Sequence, residues 1–277
     1  MRRTHMYSPM LAAIVVAIGC GSGLPAPSEA RQAGTPQDAA ATTPTAESKA
    51  PIQIAEAPAA SHPAVAGSAS IHGTVTFTGT APAAEKVKMD ADPVCQQQHA
   101  TPVMTEAAVV NNGALKNALV YVKEGAAGPF PTPTSPVRLD QSGCWYTPHV
   151  FGIQVNQPLE IVNSDATLHN INAKPVSNTP FNIAQPAKGM KTTKKFAKPE
   201  LGVKFKCNVH PWMHAYAGVF EHPYFSVSGD DGSFAITGLP AGTYVIEAWQ
   251  ETFGTKTQTV TVADGEAKSI ELAFTAH

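Results

Sequence analysis

A cysteine, a histidine and a methionine follow one another at short, even spacing within residues 201–213. Apolar and polar residues alternate up to Cys207, which predicts a strand with the thiol pointing inward at its end. His210 and Met213 are predicted to lie on the tight turn that follows. From one such turn, a thiolate, an imidazole and a thioether can converge on a single ion. Thiolate, imidazole and a weak axial methionine form the ligand set that copper selects.

A third strong donor is needed, and His169 can supply it because it lies just beyond the predicted strand 159–162. His214, next to Met213, is an alternative ligand. Zinc is an alternative metal, but it rarely uses methionine and prefers four strong nitrogen, sulfur or oxygen donors. The remaining alternative is a buried free cysteine near surface histidines, with no metal at all.

The elements that must position these donors are strands. From Ser70 onward, short alternating runs are separated by Gly, Pro, Asn and Asp, which is typical of a β-sandwich or barrel. Helical periodicity nowhere persists beyond about two turns, so at most a short helix is predicted within residues 85–105. On the first strand, Val75 and Phe77 are expected to face the core. The other predicted strands are 119–122, 151–155, 159–162, 201–207, 217–220, 234–236, 244–249, 257–262 and 270–274.

Residues 137–221 resemble the cupredoxins, and the short Cys-x-x-His-x-x-Met loop is similar to that of amicyanin. The resemblance implies a cupredoxin Greek-key β-sandwich over residues 125–222 that binds one type 1 copper. It also implies that His169, Cys207 and His210 are the equatorial ligands of the copper and that Met213 is the axial ligand.

The same resemblance assigns roles around the metal. The residue at Asn170 ties the two ligand loops together by hydrogen bonds in cupredoxins, which tunes the thiolate. Electrons generally pass through the loop histidine, here His210, whose ring edge reaches a hydrophobic surface patch. By resemblance, Pro211 and Trp212 belong to that electron-transfer surface.

Residues 229–244 resemble the carboxypeptidase-regulatory-like module, a prealbumin-like β-sandwich. The opening strand of that module, Ile-x-Gly-x-Val, occurs far upstream at Ile71, Gly73 and Val75. We therefore expect one prealbumin-like sandwich formed by residues 71–124 and 223–277, with the cupredoxin inserted between them. The alternative is a larger cupredoxin, about 70–221, followed by a separate small sandwich.

The N-terminus has the form of an export signal, since Arg2 and Arg3 precede a short apolar run. The residues Ala-Ile-Gly-Cys ending at Cys20 resemble the bacterial lipobox, whose cysteine is lipidated, so residues 1–20 are predicted to be a lipoprotein signal peptide. A plain signal peptide is the alternative. Residues 21–70 are rich in Ala, Pro, Ser and Thr without an aromatic residue, which predicts a disordered tether. We expect an exported, membrane-anchored lipoprotein facing the periplasm or the cell exterior, held at the membrane by its lipid alone.

Two cysteines remain, Cys95 and Cys144. In an exported protein, two leftover cysteines most simply form a disulfide. The alternative is a second metal site, because His99 and His149 lie close to them in the sequence.

Charge and motif content narrow the function. The chain of 277 residues has a net charge of −2, which gives no electrostatic footprint for nucleic acid. It contains no His-x-His pair or Cys-x-x-x-Cys pair that would build a copper cluster. A single ion with four protein ligands has no open position for substrate, so we predict a non-enzymatic carrier of single electrons between a redox protein donor and an acceptor. The alternatives are copper storage, delivery or sensing, and a binding or adhesion role of the C-terminal sandwich.

Overall fold

The computed structural model describes residues 67–276. This part of the chain is all-β, as predicted, with 18 strands and a short helix that falls inside the segment where a helix was allowed. The predicted signal peptide, Cys20 and almost all of the predicted tether lie outside the described residues. Within residues 67–276, no helix is long and apolar enough to cross a membrane.

In chain order, the elements are β1 (Ala69–Thr78), α1 (Pro93–Gln97), β2 (Val110–Asn111), β3 (Ala114–Leu115), β4 (Leu119–Glu124), β5 (Val137–Gln141), β6 (Tyr146–Thr147), β7 (Val150–Gln154), β8 (Leu159–Asn163), β9 (His169–Ala173), β10 (Phe181–Gln185), β11 (Lys191–Lys194), β12 (Glu200–Lys206), β13 (His214–Phe220), β14 (Phe225–Val227), β15 (Ser233–Leu239), β16 (Gly242–Gln250), β17 (Gly254–Val262) and β18 (Ala267–Thr275).

The first and last strands build one sandwich, which we call the flanking sandwich. One of its sheets has the order β15-β1-β3-β2 with β18 also paired to β1, and the other has the order β14-β4-β16-β17. β1 runs antiparallel to β15 and parallel to β18, while β4 runs antiparallel to β16. Strands from before residue 125 and strands from after residue 222 therefore share both sheets.

Residues 137–220 build a second sandwich, which we call the central sandwich. Its sheets have the orders β10-β9-β12-β13-β7 and β11-β8-β5-β6. Each sandwich has its own core, because the inward residues of its two sheets are buried against one another. In the flanking core, Val75 and Phe77 are buried as the alternation of β1 predicts. In the central core, Tyr146, Ile161, Phe205 and other apolar residues surround Cys207.

The sequence assigns all of residues 71–124 to the flanking sandwich, but the structure divides that range. Residues 86–104, which we call the covering segment, leave the flanking sandwich. The two ends of this segment are joined by an antiparallel bridge between Lys86 and Met104. Val87, Met89 and Cys95 of this segment are buried in the core of the central sandwich. Burial of these apolar side chains holds the covering segment and its helix α1 against the second sandwich.

The two sandwiches meet through a smaller apolar cluster of Leu119, Tyr121, Val150 and Phe220. Strands β7 and β13 carry glycines at the meeting face, paired as Gly152 and Gly218. A Cβ atom on Gly218 would lie 2.4 Å from a methyl group of Leu119, and one on Gly152 would lie 2.2 Å from the ring of Phe225. The absence of side chains at these two positions allows the sheets to approach closely.

Strand β12 departs from the predicted alternation at its beginning. Leu201 was expected to share a face with Val203, Phe205 and Cys207, but it packs instead in the cluster between the sandwiches. The pairing with β13 shifts register between Glu200 and Val203, and Gly202 has a φ of +72°. A bulge of this kind adds one residue and reverses the faces on its N-terminal side.

Candidate metal centre

Two loops at one end of the central sandwich carry the predicted donors. His169 is the first residue of β9, and Cys207 follows directly after β12. The turn after β12 folds back on itself, because the amide of Cys207 donates to the carbonyl of Met213 at 3.1 Å and the amide of Met213 donates to the carbonyl of His210 at 2.9 Å. The His210 amide also points at the Cys207 Sγ, 3.4 Å away. The backbone of this turn therefore fixes where its side chains point.

Three ligand atoms converge between these loops. The Nδ1 atoms of His169 and His210 lie 3.0 Å apart, and the Sγ of Cys207 lies 3.9 Å from Nδ1 of His210. His169, Cys207 and His210 are 0%, 2% and 2% exposed, and we call these three residues the loop cluster. Met213 is also fully buried, in the core that contains Cys207.

Each imidazole of the loop cluster is held by an aspartate on its far side. Nε2 of His169 lies 2.8 Å from Oδ2 of Asp165, and Nε2 of His210 lies 2.8 Å from Oδ2 of Asp92. A carboxylate accepts the Nε2 proton of each ring, which leaves Nδ1 as the atom that faces the other donors. Two imidazole nitrogens and a thiolate sulfur converge here, which is the nitrogen and sulfur donor set that transition metals prefer. The donor set therefore fits a metal ion.

The two aspartates are themselves anchored by backbone amides. Asp92 caps the N-terminus of α1 by accepting from the amides of Val94 and Cys95. Asp165 accepts from the amides of Gly143 at 2.9 Å and Cys144 at 2.8 Å. Although burial by itself raises the pKa of Asp165, hydrogen bonds from His169 and from these two amides hold that pKa below its usual value. Asp165 is therefore ionised at neutral pH and can keep a proton on His169.

The thiol of Cys207 is in the form that binds metals. Burial by itself raises the pKa of Cys207, but hydrogen bonds with His169 and His210 outweigh that effect and lower the pKa to about 5. Cys207 is therefore a thiolate at neutral pH, and the thiolate is the metal-binding form of cysteine. Among the described residues, it is the free cysteine.

Cys95 and Cys144 form a disulfide in the structure. The bond joins α1 to the loop between β5 and β6, and the Sγ of Cys95 lies 3.5 Å from Nε2 of His210. His99 is close to this bond and contacts the carbonyl of Gly143 at 2.7 Å. His149 lies elsewhere, beside Glu251. Because both sulfurs are bonded to each other, the second metal site considered from the sequence has no thiolate ligand.

Asn170 links the loop that carries Cys207 to the strand that carries His169. Its side-chain oxygen accepts a hydrogen bond from the backbone amide of Asn208, which lies next to Cys207. Its amide group donates to the side chain of Asn182 on the neighbouring strand. The position of the thiolate is therefore coupled to the loop that carries His169.

The surroundings of His210 differ from the expected exposed ring edge. His210 is only 2% exposed because Asp92 and the disulfide cover its far side. Pro211 is exposed, but Trp212 is half-buried and donates from its indole nitrogen to the carbonyl of Cys144 at 3.0 Å. The rings of Trp212 and His210 have centroids 5.1 Å apart. Trp212 thus packs over His210 rather than standing free at the surface.

Neither aspartate was predicted from the sequence. Asp165 stands four residues before His169 and was visible as a polar residue in the same loop. Asp92 is 118 residues away from His210, and no local pattern connects the two. Only the packing of the covering segment against the ligand loops brings Asp92 into place.

No protein-family model matches this sequence, and no curated protein matches it. Among solved structures, the Cu-containing nitrite reductase (NirK) from Thermus scotoductus SA-01 is 26% identical, with a TM-score of 0.30, over 37% of this chain and 25% of that chain. The purple cupredoxin from Nitrosopumilus maritimus is 22% identical, with a TM-score of 0.26, over 30% of this chain and 97% of that chain. An amicyanin variant in the Cu(I) state is 16% identical, with a TM-score of 0.27, over 30% of this chain and 81% of that chain.

These likenesses are to copper proteins and extend over about a third of the chain. The chain spans about a quarter of the length of the nitrite reductase. TM-scores of this size establish neither a common fold nor a common function.

Proposed function

We propose that this chain is a copper protein that carries single electrons between partner proteins outside the cytoplasm. The observation that carries the proposal is the loop cluster, in which two imidazole nitrogens and a thiolate converge while an aspartate holds the far nitrogen of each imidazole. Bound copper would supply a centre that alternates between Cu(I) and Cu(II). His169, Cys207 and His210 would bind it, with Met213 as a weaker ligand.

The surroundings of the donors favour electron transfer over catalysis. All four proposed ligands are 2% exposed or less, so a substrate has no open approach to the ion. The turn after β12 is tied by its own backbone hydrogen bonds, and Asn170 ties it to the other ligand loop. Ligands held this firmly move little when the charge of an ion changes, which suits rapid electron exchange.

A partner would dock where apolar side chains surround the covered site. Val94, Leu168 and Val209 are 40%, 40% and 46% exposed, and we call them the docking face. Leu168 precedes a ligand histidine in the sequence, and so does Val209. Asp92 links the segments that carry these residues, because its side chain contacts the side chains of Thr167 and His210. A small apolar patch suits the weak, transient interfaces of redox partners.

The cell compartment follows from the N-terminus in this proposal. Lipidation at Cys20 would anchor the chain at the membrane, and the tether would let the folded part reach its partners. The disulfide between Cys95 and Cys144 supports an oxidising compartment, because such bonds persist there and are rare in the cytosol.

Visible and EPR spectra of the copper-loaded protein test the proposal. We expect an intense thiolate-to-copper absorption, one rapidly exchanged electron per site, and loss of the absorption in Cys207→Ser. The matched control is His222→Gln, which alters a half-buried histidine that contacts the carbonyl of Val122, away from the loop cluster. A full absorption band in Cys207→Ser would refute the site. Rapid loss of copper to a soluble chelator would instead favour storage or delivery.

A further inference from the structure

A second group of metal-binding side chains lies where the two sandwiches meet. His149 directly precedes β7, His214 begins β13, and Glu251 follows β16 of the flanking sandwich. One ligand atom from each residue lies within 4.8 Å of the others, and we call these residues the junction cluster. None of the three belongs to the loop cluster, although His214 directly follows Met213 in the sequence.

The hydrogen bonds of His214 leave one nitrogen available. Its Nδ1 lies 3.0 Å from the carbonyl oxygen of Trp212, which accepts a hydrogen bond, so Nδ1 carries the proton. Nε2 of His214 is therefore unprotonated, and it lies 3.8 Å from a carboxylate oxygen of Glu251. That distance is too long for a hydrogen bond. The lone pair on Nε2 of His214 and the carboxylate of Glu251 face each other without a proton between them. A cation bound between these two groups would be stabilised by both.

His149 supplies the second observation. Its Nε2 contacts Glu251 and, in the absence of a metal ion, donates its proton to that carboxylate. The side chain is 3% exposed, yet its Nδ1 has no hydrogen-bond partner among the described residues. Buried polar atoms without a partner are rare and call for an explanation.

A metal ion would move the proton of His149 to this unpartnered nitrogen. If Nε2 of His149 bound a cation, its proton would pass to Nδ1, which lies 3.8 Å from a carboxylate oxygen of Glu106. A metal-bound histidine almost always donates its other N–H to a carboxylate, a carbonyl or water. Glu106 is itself oriented by the indole N–H of Trp145. Each ring nitrogen of His149 therefore faces a carboxylate, with Glu251 at Nε2 and Glu106 at Nδ1.

We propose that the junction cluster binds one divalent transition-metal ion through Nε2 of His149, Nε2 of His214 and the carboxylate of Glu251. Two imidazoles and a carboxylate, without a thiolate, suit Zn²⁺ or Cu²⁺ in an ordinary, non-blue site. Three protein ligands leave a position open, and His214 is 20% exposed, which provides an approach from solvent. The ion would join the central sandwich to the flanking sandwich.

The test is made in the full chain carrying Cys207→Ser, so that the loop cluster has no thiolate. An ion bound by the two remaining imidazoles of the loop cluster is distinguished because Glu251→Gln leaves its affinity unchanged. Zn²⁺ and Cu²⁺ are titrated separately by calorimetry, which distinguishes the two metals. We expect one ion per chain at the junction cluster. Adding Glu106→Gln should weaken binding by about 10- to 100-fold, and adding Glu251→Gln should weaken it further because it removes a ligand. Adding His222→Gln, a histidine outside the cluster, should leave the affinity unchanged.

Nitrogen NMR of the imidazoles gives a readout that needs no cluster variant. In the metal-free protein, Nδ1 of His149 should be unprotonated, and Zn²⁺ should transfer the proton to it. Failure of both metals to bind, equal loss in His222→Gln, or His149 resonances unchanged by bound Zn²⁺ would each overturn the proposal. A wild-type protein that lacks the blue absorption but binds Zn²⁺ at the junction cluster would refute the proposed function and leave this inference standing.

Discussion

The loop cluster and the junction cluster each contain two histidines, and they are built differently. The loop cluster belongs to the central sandwich and the covering segment packed on it, and each of its imidazoles has a partner at the far nitrogen. The junction cluster takes ligands from both sandwiches and leaves Nδ1 of His149 without a hydrogen bond. A thiolate in a closed core, as in the loop cluster, suits electron transfer. A more open set of nitrogen and oxygen ligands, as in the junction cluster, suits a metal ion that does not change its charge.

Removal of the disulfide should have the largest effect on stability, and it should affect the loop cluster but not the junction cluster. Cys95→Ala combined with Cys144→Ala opens a loop of 49 residues. The free energy of unfolding should fall by roughly 4 kcal/mol on the chain-entropy estimate. Urea denaturation measures this change. The copper absorption should also shift, because the disulfide packs against His210, whereas Zn²⁺ binding at the junction cluster should persist. A stability equal to that of the wild type would contradict the expectation.

The aspartates behind the ligand histidines should have the next largest effect. Asp165→Asn and Asp92→Asn each replace a carboxylate that holds the Nε2 proton of a ligand. Copper affinity should fall by about 10- to 100-fold in each variant, as measured by competition with a chelator. The effect should be greater for Asp165, whose side chain is 2% exposed, than for Asp92, whose side chain is 19% exposed. Asp264→Asn at an exposed turn is the control, and equal losses in all three variants would argue against a specific role.

Met213 should control the reduction potential rather than the presence of the copper site. Met213→Leu conserves volume in the buried core, so the cost in stability should stay below about 1.5 kcal/mol. The thiolate-to-copper absorption should remain, and the reduction potential should change because the axial ligand tunes it. Voltammetry of the copper-loaded protein measures the change. An unchanged potential would mean that Met213 only fills the core.

The smallest effect should come from the surface above the loop cluster. Val209→Ser removes an apolar side chain of the docking face and should slow electron exchange with a partner several-fold, without altering the copper spectrum. Trp212→Ala should alter both quantities, because the ring packs on His210 and donates to the carbonyl of Cys144. Stopped-flow kinetics with a small redox protein measures the exchange. Unchanged rates in Val209→Ser would move the docking face elsewhere.

Much of the architecture could be predicted from local patterns. The alternation of apolar residues predicted strands such as 119–122, 159–162 and 244–249, and the observed strands contain them. Donor chemistry and short spacing singled out Cys207 and His210, which the structure brings together with His169. Strands with little apolar alternation, such as Lys191–Lys194, were not predicted. This strand lies at the edge of its sheet, and its residues are exposed or half-buried, so its sequence has no apolar pattern.

The sequence by itself determined the strand content and the donors on the turn after β12, because side-chain periodicity and ligand type are local properties. The tertiary structure alone decided that Asp92 reaches His210, that the disulfide covers the ring edge, and that Glu251 meets His149. These contacts join residues roughly a hundred positions apart, and they depend on how the covering segment and the two sandwiches pack. A register shift at Gly202, which no periodic pattern reveals, likewise moved Leu201 from the predicted core face to the junction.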